Sequence, residues 1–460
     1  MEVLQRTANR GSISTGPYEI DNSLKLEADN VERMQRSYAS ITSAGTPTST
    51  KIATISFWLK RTELQSSGDR LCFLADANFT WIGFSNDGIY ILGSTAGINL
   101  RSSGKFRDTS AWYHIVVAFD TTQSTASNRV KVYVNGEQWT EWGVSSNYGV
   151  QNNDIDLYDL NTSHYLGWSD AQSQSGYYAE FYLIDGQQLA PTEFGEFDSD
   201  SGIWKPKAYG GTFGVQGYHL DFEDSSALGD DVSGNGNNFT NLYNITSADQ
   251  ATDTPTNNFC TLNPLWTFGN TMGVSDGGTK VNNTVTAWGG AKGSIGVNSG
   301  KWYWEHGSFS GNDTMFGIQN QAGGGNAQAY LDPYTLALQA NSNVIQFTDP
   351  SNRTESFSKT FSVSDIWGVA LDLDANTIAY YRNGSIVNSA FSIDGLIGNG
   401  EFFPFVTHYG SGLNSRVNFG GYTGITISSA ASDANGYGTF EYAPPSGHYS
   451  ICTKNLAEYG

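Results

Sequence analysis

Charge is scarce in this chain, and positive charge scarcest. Only 15% of its 460 residues are charged, with 24 Lys and Arg against 45 Asp and Glu. Ordinary domains carry about 25% charged residues. The formal charge of -21 repels a phosphate backbone, so no nucleic-acid partner is expected. That sign suits a protein working in salty water or in a dense array. It also leaves carboxylates spare for Ca2+, although a solvated acidic surface is expected before a Ca2+ site. Cysteine is nearly missing. Cys72, Cys260 and Cys452 are odd in number and far apart, which is no disulfide framework, so free thiols are expected. Long apolar runs are absent too. The strongest, "WYHIVVAF", falls far short of the ~20 residues that cross a bilayer, so no membrane span is expected. The opening "MEVLQRTANRGSISTG" lacks the apolar core of a signal peptide, and folding in a reducing cytoplasm follows as an expectation. Helical periodicity is nearly absent, with one short turn expected in "LAPTEFGEF" (189–197).

What is present is glycine, at 53 residues, and aromatic side chains, at 13%. Short strands joined by tight turns use both. "TISFWLKR" (54–61), "TWIGFSNDGIYILG" (80–93) and "WYHIVVAFD" (112–120) read as strands rich in β-branched and aromatic residues. "RVKVYVNGEQW" (129–139) alternates up to Asn135-Gly136, a pair that favours the type I′ hairpin turn. The pattern of 112–138 has an echo in "IWGVALDLDANTIAYYRNGSIV" (366–387). Each is an apolar strand with Trp that ends in Asp, then a turn, an alternating strand and Asn-Gly. Two sandwiches explain this better than one large domain. The division expected is an attachment arm (1–22), a first sandwich (23–204), a loop-rich connecting segment (205–295) and a second sandwich with a tail (296–460).

Residues 24–190 resemble the laminin-G-like, concanavalin A-like sandwich, through "ISFWLKR", "WYHIVVAFD", "VKVYVNG" and "YLGWSDAQSQSGYYAEFYLIDGQQL". Residues 299–420 resemble a SPRY domain, through "GKWYWEHGSFSGNDTMFGI", "WGVALDLDANTIAYYRNGS" and "FFPFVTHYGSGLNSRVNFG". The pairing, with "PTEFGEFDSDSGIWKPKAYGG" between them and "YAPPSGHYSICTKNL" at the close, is similar to structural proteins of tailed phages, many of them marine. The resemblance implies an all-β fold: two antiparallel β-sandwich domains of concanavalin A-like, jelly-roll type in tandem behind a short N-terminal arm. It also implies a virion fibre, spike or surface protein.

Each chemical motif has a plain alternative. In "GKWYWEH", Trp302, Trp304 and His306 share one strand face, and Tyr303 and Glu305 the other. Core packing is expected of them before sugar stacking. Glycanases of concanavalin A-like fold use Glu-x-Asp-x-(x)-Glu on one strand. "YEIDNSL" offers Glu19 and Asp21, and "GEFDSD" offers Glu196, Asp198 and Asp200, but neither completes the set. "DLDANTIAYYRN" opens like a Ca2+ loop at Asp372, Asp374 and Asn376. It has Thr377 and Asn383 where that loop needs Gly and Glu, so a hairpin turn is expected. The histidines show no paired metal spacing, and His114 reads as a satisfied core residue. No cofactor is expected.

Sugar sites set aromatic faces against C–H surfaces beside polar groups. The candidates are Trp168, Asp170, Tyr177 and Tyr178 around "SDAQSQSG", with His408 and Tyr409 in "THYGSGLNS". The function expected is a non-enzymatic, surface-exposed phage component that binds a glycan or another host-surface ligand. It would be held to other virion proteins by its arm, and a homo-oligomer is expected. The alternatives are a capsid decoration or head fibre with no essential ligand, and a glycan hydrolase.

Overall fold

A computed structural model describes residues 18–460 apart from 65–66, 77–78, 160, 169–171, 270–271, 322–333, 342–343, 349–354, 358–360, 388, 395 and 397–399. The chain forms two compact units, Met1–Thr256 and Asn257–Gly460. Each is a pair of facing β-sheets.

In the first unit, sheet I runs Glu137–Gln138, Val130–Val134, Trp112–Asp120, Ile52–Arg61, Gly176–Asp185, Ser23–Leu26 and Gln250–Ala251, with Tyr218–Leu220 also paired to Gly176–Asp185. Sheet II runs Ser145–Tyr148, Ile98–Arg101, Gly88–Gly93, Thr80–Ser85, Asp69–Ala75, His164–Leu166, Arg33–Arg36 and Asn241–Tyr243. Alternation does the packing. Phe57, Ile115, Val117 and Phe181 of sheet I meet Met34, Phe73, Ile82, Ile91 and Leu166 of sheet II in one core. Burying each such side chain stabilises by about 1.5–3 kcal/mol. Asn135-Gly136 forms the expected hairpin turn. Both residues have positive φ, 49° and 82°, and Val134 pairs with Glu137 across it. Gly136 is required twice over, because a Cβ there would lie 2.3 Å from the Trp204 ring.

Residues 187–213 and 249–256 return over the outer face of sheet I, while the residues between them add Tyr218–Leu220 to sheet I, Asn241–Tyr243 to the edge of sheet II, and side chains such as Phe222 and Phe239 to the core. The hairpin Gly195–Phe197 with Trp204–Pro206 lays Trp204 on His114, with ring centroids 5.9 Å apart and planes 20° off parallel. The Trp204 indole N–H donates to His114 Nδ1 at 2.9 Å. The imidazole proton therefore sits on Nε2, which is 2.8 Å from Ser56 Oγ. Burial holds the His114 pKa down to about 3. Further along, Asp253 accepts from Lys60 Nζ at 2.6 Å and from Trp112 Nε1 at 3.1 Å. Asp249 meets Lys25 at 2.8 Å.

This corrects the expected connecting segment at 205–295. Residues 205–256 are cover and edge strands of the first unit. Leu262–Gly269, Met272–Ser275, Lys280–Asn283 and Trp288–Gly293 are strands of the second. Short strands broken by Gly and Asn leave little periodicity to read. The arm falls mostly on 1–17, outside the described residues. Its last part is bound to its own unit, with Ile20 N 3.1 Å and Ile20 O 2.9 Å from Thr256 Oγ1.

In the second unit, sheet III runs Leu262–Gly269, Trp288–Gly293, Phe402–Tyr409, Thr314–Asn320, Thr335–Asn341, Val344–Thr348 and Glu355–Phe357. Sheet IV is centred on Lys301–Gly307, between Asn414–Asn418 and Trp367–Asp372. Trp367–Asp372 and Thr377–Arg382 form the echo hairpin. In its turn Asp372 accepts from Ala375 N at 2.8 Å and pairs with Lys301 at 2.8 Å.

Trp302 and Trp304 are fully buried in the core between sheets III and IV, and Trp304 Nε1 donates to His306 Nε2 at 3.0 Å. On the opposite side of the strand, Glu305 accepts from Glu441 N at 3.0 Å, Tyr442 N at 2.9 Å and Asn418 Nδ2 at 3.2 Å. The aromatic cluster of "GKWYWEH" is thus a core strand with a returning segment strapped to its back.

The expected turn at 189–197 is a single 3-10 turn, Pro191–Glu193. Two α-helices, Tyr38–Ala44 and Thr453–Tyr459, escaped the sequence reading; each has 7 residues, too short to show a periodicity.

Candidate functional site

The expected cluster of Trp168 with Tyr177 and Tyr178 does not assemble. Tyr178 is a fully buried core residue whose hydroxyl donates to Gln174 O at 3.0 Å. Tyr177 faces the opposite side of the same strand, beneath the cover of sheet I, and is equally buried. Consecutive strand residues point to opposite faces, so the two rings never shared a surface. His408 is buried as well, with Nε2 3.0 Å from Ser415 Oγ and its pKa held down to about 3 by desolvation. Asp170 lies outside the described residues. Tyr409 is 41% exposed and sits 5.5 Å from Trp288, ring to ring. Trp168 is half-buried, and its partner is Tyr165, met edge-on at 4.7 Å.

Tyr165 places Trp168 on the outer face of sheet II. The register runs from Asn99 to Leu92, Trp81, Leu74, Tyr165, Gln35 and Asn241, one residue per strand. Trp81, Trp168, Tyr165, Leu71 and Leu74 pack as one cluster. Trp81 also stands edge-on to Tyr90 at 5.0 Å, and the Arg101 guanidinium lies 3.9 Å above the Tyr90 ring. At the other end Gln35 joins Tyr165 OH at 2.6 Å to Tyr243 OH at 3.0 Å, and Arg33 lies 4.3 Å over the Tyr243 ring. Trp81, Leu92, Asn99, Arg101, Arg33, Gln35 and Trp168 are all partly exposed. Trp81 Nε1, Asn99 Oδ1, Arg33 Nε and Arg101 Nε are themselves buried and have no hydrogen-bond partner among the described residues, so what this face offers a ligand is the partly exposed remainder of these side chains. Partly exposed aromatic surface flanked by amide and guanidinium side chains can hold a polyhydroxylated ligand.

Most of this face was legible in principle. "TWIGFSNDGIYILG" alternates Trp81, Gly83 on one side and Tyr90, Leu92 on the same side after the turn. "HYLGW" sets Tyr165 opposite His164 and Leu166 in the same way. What could not be read was which sheet face would be covered.

Titratable groups gather elsewhere without forming a catalytic pair. Glu180 sits at a bulge in Gly176–Asp185, with φ 50°. Its Oε2 accepts from Tyr18 OH at 2.6 Å and from Tyr182 OH, and lies 3.0 Å from His219 Nε2. Three partners on one carboxylate oxygen make a clasp for residues 18–20 and leave that oxygen no room as a base. Of the carboxylates considered for hydrolysis, Glu196 and Asp198 both pair with Lys205, at 3.4 and 3.2 Å. Hydrogen bonds from Ser201 hold Asp198 well below the usual carboxylate range. Among the described residues no three His, Cys, Asp or Glu side chains are grouped to hold a metal ion.

The family model of the SPRY domain matches residues 301–422. Among solved structures, the SPRY domain of human HERC1 is 20% identical with a TM-score of 0.28, over 34% of this chain and 96% of that one. The PSpry domain of TRIM65 is 15% identical with a TM-score of 0.29, over 35% of this chain and 88% of that one. No curated protein matches the chain. The model described as the concanavalin A-like lectin/glucanases superfamily, Laminin_G_3, matches residues 34–186. With the paired antiparallel sheets of each unit, the two family-model matches make the chain an all-β protein in which a concanavalin A-like domain is followed in tandem by a SPRY domain.

Proposed function

We propose that this is a non-enzymatic binding protein that holds a glycan on the outer face of sheet II, and that it serves as a surface-exposed fibre, spike or adhesin of a tailed-phage particle. One observation carries the binding reading. Trp81 and Trp168 pack with Tyr165 on a single sheet face, partly exposed and bordered by the partly exposed Arg33, Asn99 and Arg101. Rings supply the apolar contact and the bordering amide and guanidinium groups supply direction. The particle assignment rests on the order of strand motifs along the chain and their similarity to phage structural proteins. In this reading residues 1–17 dock the chain on other virion proteins, and copies of the chain assemble together.

Purified full-length protein would be passed over immobilised host-envelope polysaccharide, and eluate and support assayed for protein and for reducing ends. Retention without release of reducing ends supports the proposal, provided Trp81→Ala abolishes it. Release of reducing ends would make the protein a hydrolase. Neither retention nor release would leave a decoration protein. Locating the chain in a cryo-EM map of purified particles tests the particle assignment separately.

A further inference from the structure

Arg36 is fully buried, on the core side of Arg33–Arg36. Its guanidinium donates to Gln216 O at 3.0 Å, Gln216 Oε1 at 2.8 Å and Asn237 Oδ1 at 2.6 Å. All three acceptors are neutral. The carboxylates whose charge reaches it, Asp185 and Asp231, are spent on backbone amides. Asp185 takes those of Thr48, Ser49 and Gln216, and Asp231 those of His219, Ser233 and Asn237. A buried cation ordinarily has an anion in direct contact.

Arg36 Nε, Tyr158 OH, Tyr218 OH and His164 Nδ1 are buried atoms with no hydrogen-bond partner among the described residues. They belong to neighbouring groups. The His164 ring lies 6.0 Å from Tyr158 and 5.9 Å from Tyr218, and the Arg36 Cζ lies 5.9 Å from the Tyr218 ring. His164 Nε2 is 2.8 Å from Leu157 O; a carbonyl only accepts, so Nε2 carries the proton and Nδ1 is bare. The set offers three donors, and the phenol oxygens and His164 Nδ1 can accept, beside a positive charge with no anion in direct contact. A water molecule could satisfy those atoms but would leave the Arg36 charge uncompensated. A halide accepts from the N–H and O–H groups offered and neutralises Arg36.

We propose that Arg36, Tyr158 and Tyr218 form a binding site for a halide-sized monovalent anion inside the first sandwich. The ion would tie strand Arg33–Arg36 to the returning residues Gln216, Tyr218 and Asn237. Ligand bound only to the folded state raises its stability with concentration.

Bromide is the probe. Crystals of the full-length protein grown in sodium bromide should show an anomalous bromine peak in contact with Arg36 Nε and the two tyrosine hydroxyls. In solution, the melting midpoint should be higher in bromide than in gluconate, a much larger monovalent anion, at equal ionic strength. Arg36→Gln removes three other bonds and can fail to fold, so Tyr158→Phe and Tyr218→Phe carry the test. Each should raise the half-saturating bromide concentration at least tenfold. Absence of the anomalous peak overturns the proposal. So does a bromide dependence identical in parent and both variants. Variants that melt above the parent in both salts would overturn it too, since that result means orphan hydroxyls without an ion.

Discussion

The two outer faces of the first sandwich are built from similar strands and end differently. That of sheet I carries Lys25, Lys60, Trp112 and Tyr177, residues that alternation alone would send to solvent. All are buried because residues 187–213 and 249–256 return over this face and supply Trp204, Asp249 and Asp253. That of sheet II carries Trp81, Arg101, Gln35 and Trp168, and these stay partly exposed. The strand Lys301–Gly307 of sheet IV is also a covered one, since Glu305 catches the backbone of residues 441–442 across its back. An aromatic strand therefore becomes core or platform according to whether a later segment carries the charges and donors to close it.

The largest effect that can break this contrast is removal of the cover. A fragment of residues 18–204 lacks Asp249, Asp253 and the strands Tyr218–Leu220, Asn241–Tyr243 and Gln250–Ala251. It should show no cooperative melt, whereas 18–256 should melt cooperatively. Cooperative melting of the shorter fragment by circular dichroism would mean that the cover is dispensable.

Single substitutions sharpen the contrast. Asp253→Ala removes the buried carboxylate that Lys60 and Trp112 share and should cost about 3–5 kcal/mol. Trp304→Ala opens the second core and should cost about 3–5 kcal/mol. Denaturant titration of each variant against the parent reads both losses. Equal stability of Trp304→Ala and parent would move that strand to the platform class.

Acid should act on the covered interiors in a graded way. His114, His164, His306 and His408 each have a pKa held down to about 3 by burial, from an ordinary 6.5. The unfolded chain takes up these protons first. Stability present above pH 6.5 is therefore lost as pH falls toward 3, by roughly 1.4 kcal/mol per pH unit for each histidine. His114→Gln should flatten that slope, as read from melting midpoints between pH 7 and 4; an unchanged slope would mean that His114 is not the buried neutral group described.

The smallest effect on stability belongs to the open face. Trp168→Ala should cost about 1–2 kcal/mol, because the indole is only half-buried against Tyr165, yet should abolish polysaccharide retention. Melting and retention measured on the same sample separate the two. Loss of several kcal/mol with retention intact would place Trp168 among the covered residues.

Sequence reading went far on strands and stopped at covers. The hairpins at Asn135-Gly136 and Asn383-Gly384 were visible because a positive φ at two successive residues demands that pair, and the structure shows it at both, with φ 49° and 82°, then 49° and 76°. The alternation of "KWYWEHG" correctly put Trp302, Trp304 and His306 on one core face. The site was less legible. Tyr177 and Tyr178 border the polar "SDAQSQSG", which suggested exposure, but the strand they begin runs through the middle of sheet I and is covered by a segment about 75 residues later. That pairing is written in Lys60 and Asp253, two isolated charges 193 residues apart, and no local pattern announces it.

The edge strands have a consequence for synthesis. Ser23–Leu26 is paired on one side with Gly176–Asp185 and on the other with Gln250–Ala251, and Arg33–Arg36 waits likewise for His164–Leu166 and Asn241–Tyr243. At ~5–20 residues per second on the ribosome, the first strands emerge roughly 11–45 s before their last partners. Through that interval they present unpaired backbone edges to every neighbouring nascent chain. Slow translation of the stretch 186–256 would lengthen this exposure, and the yield of native protein from a crowded polysome would be set there, before any ligand is met.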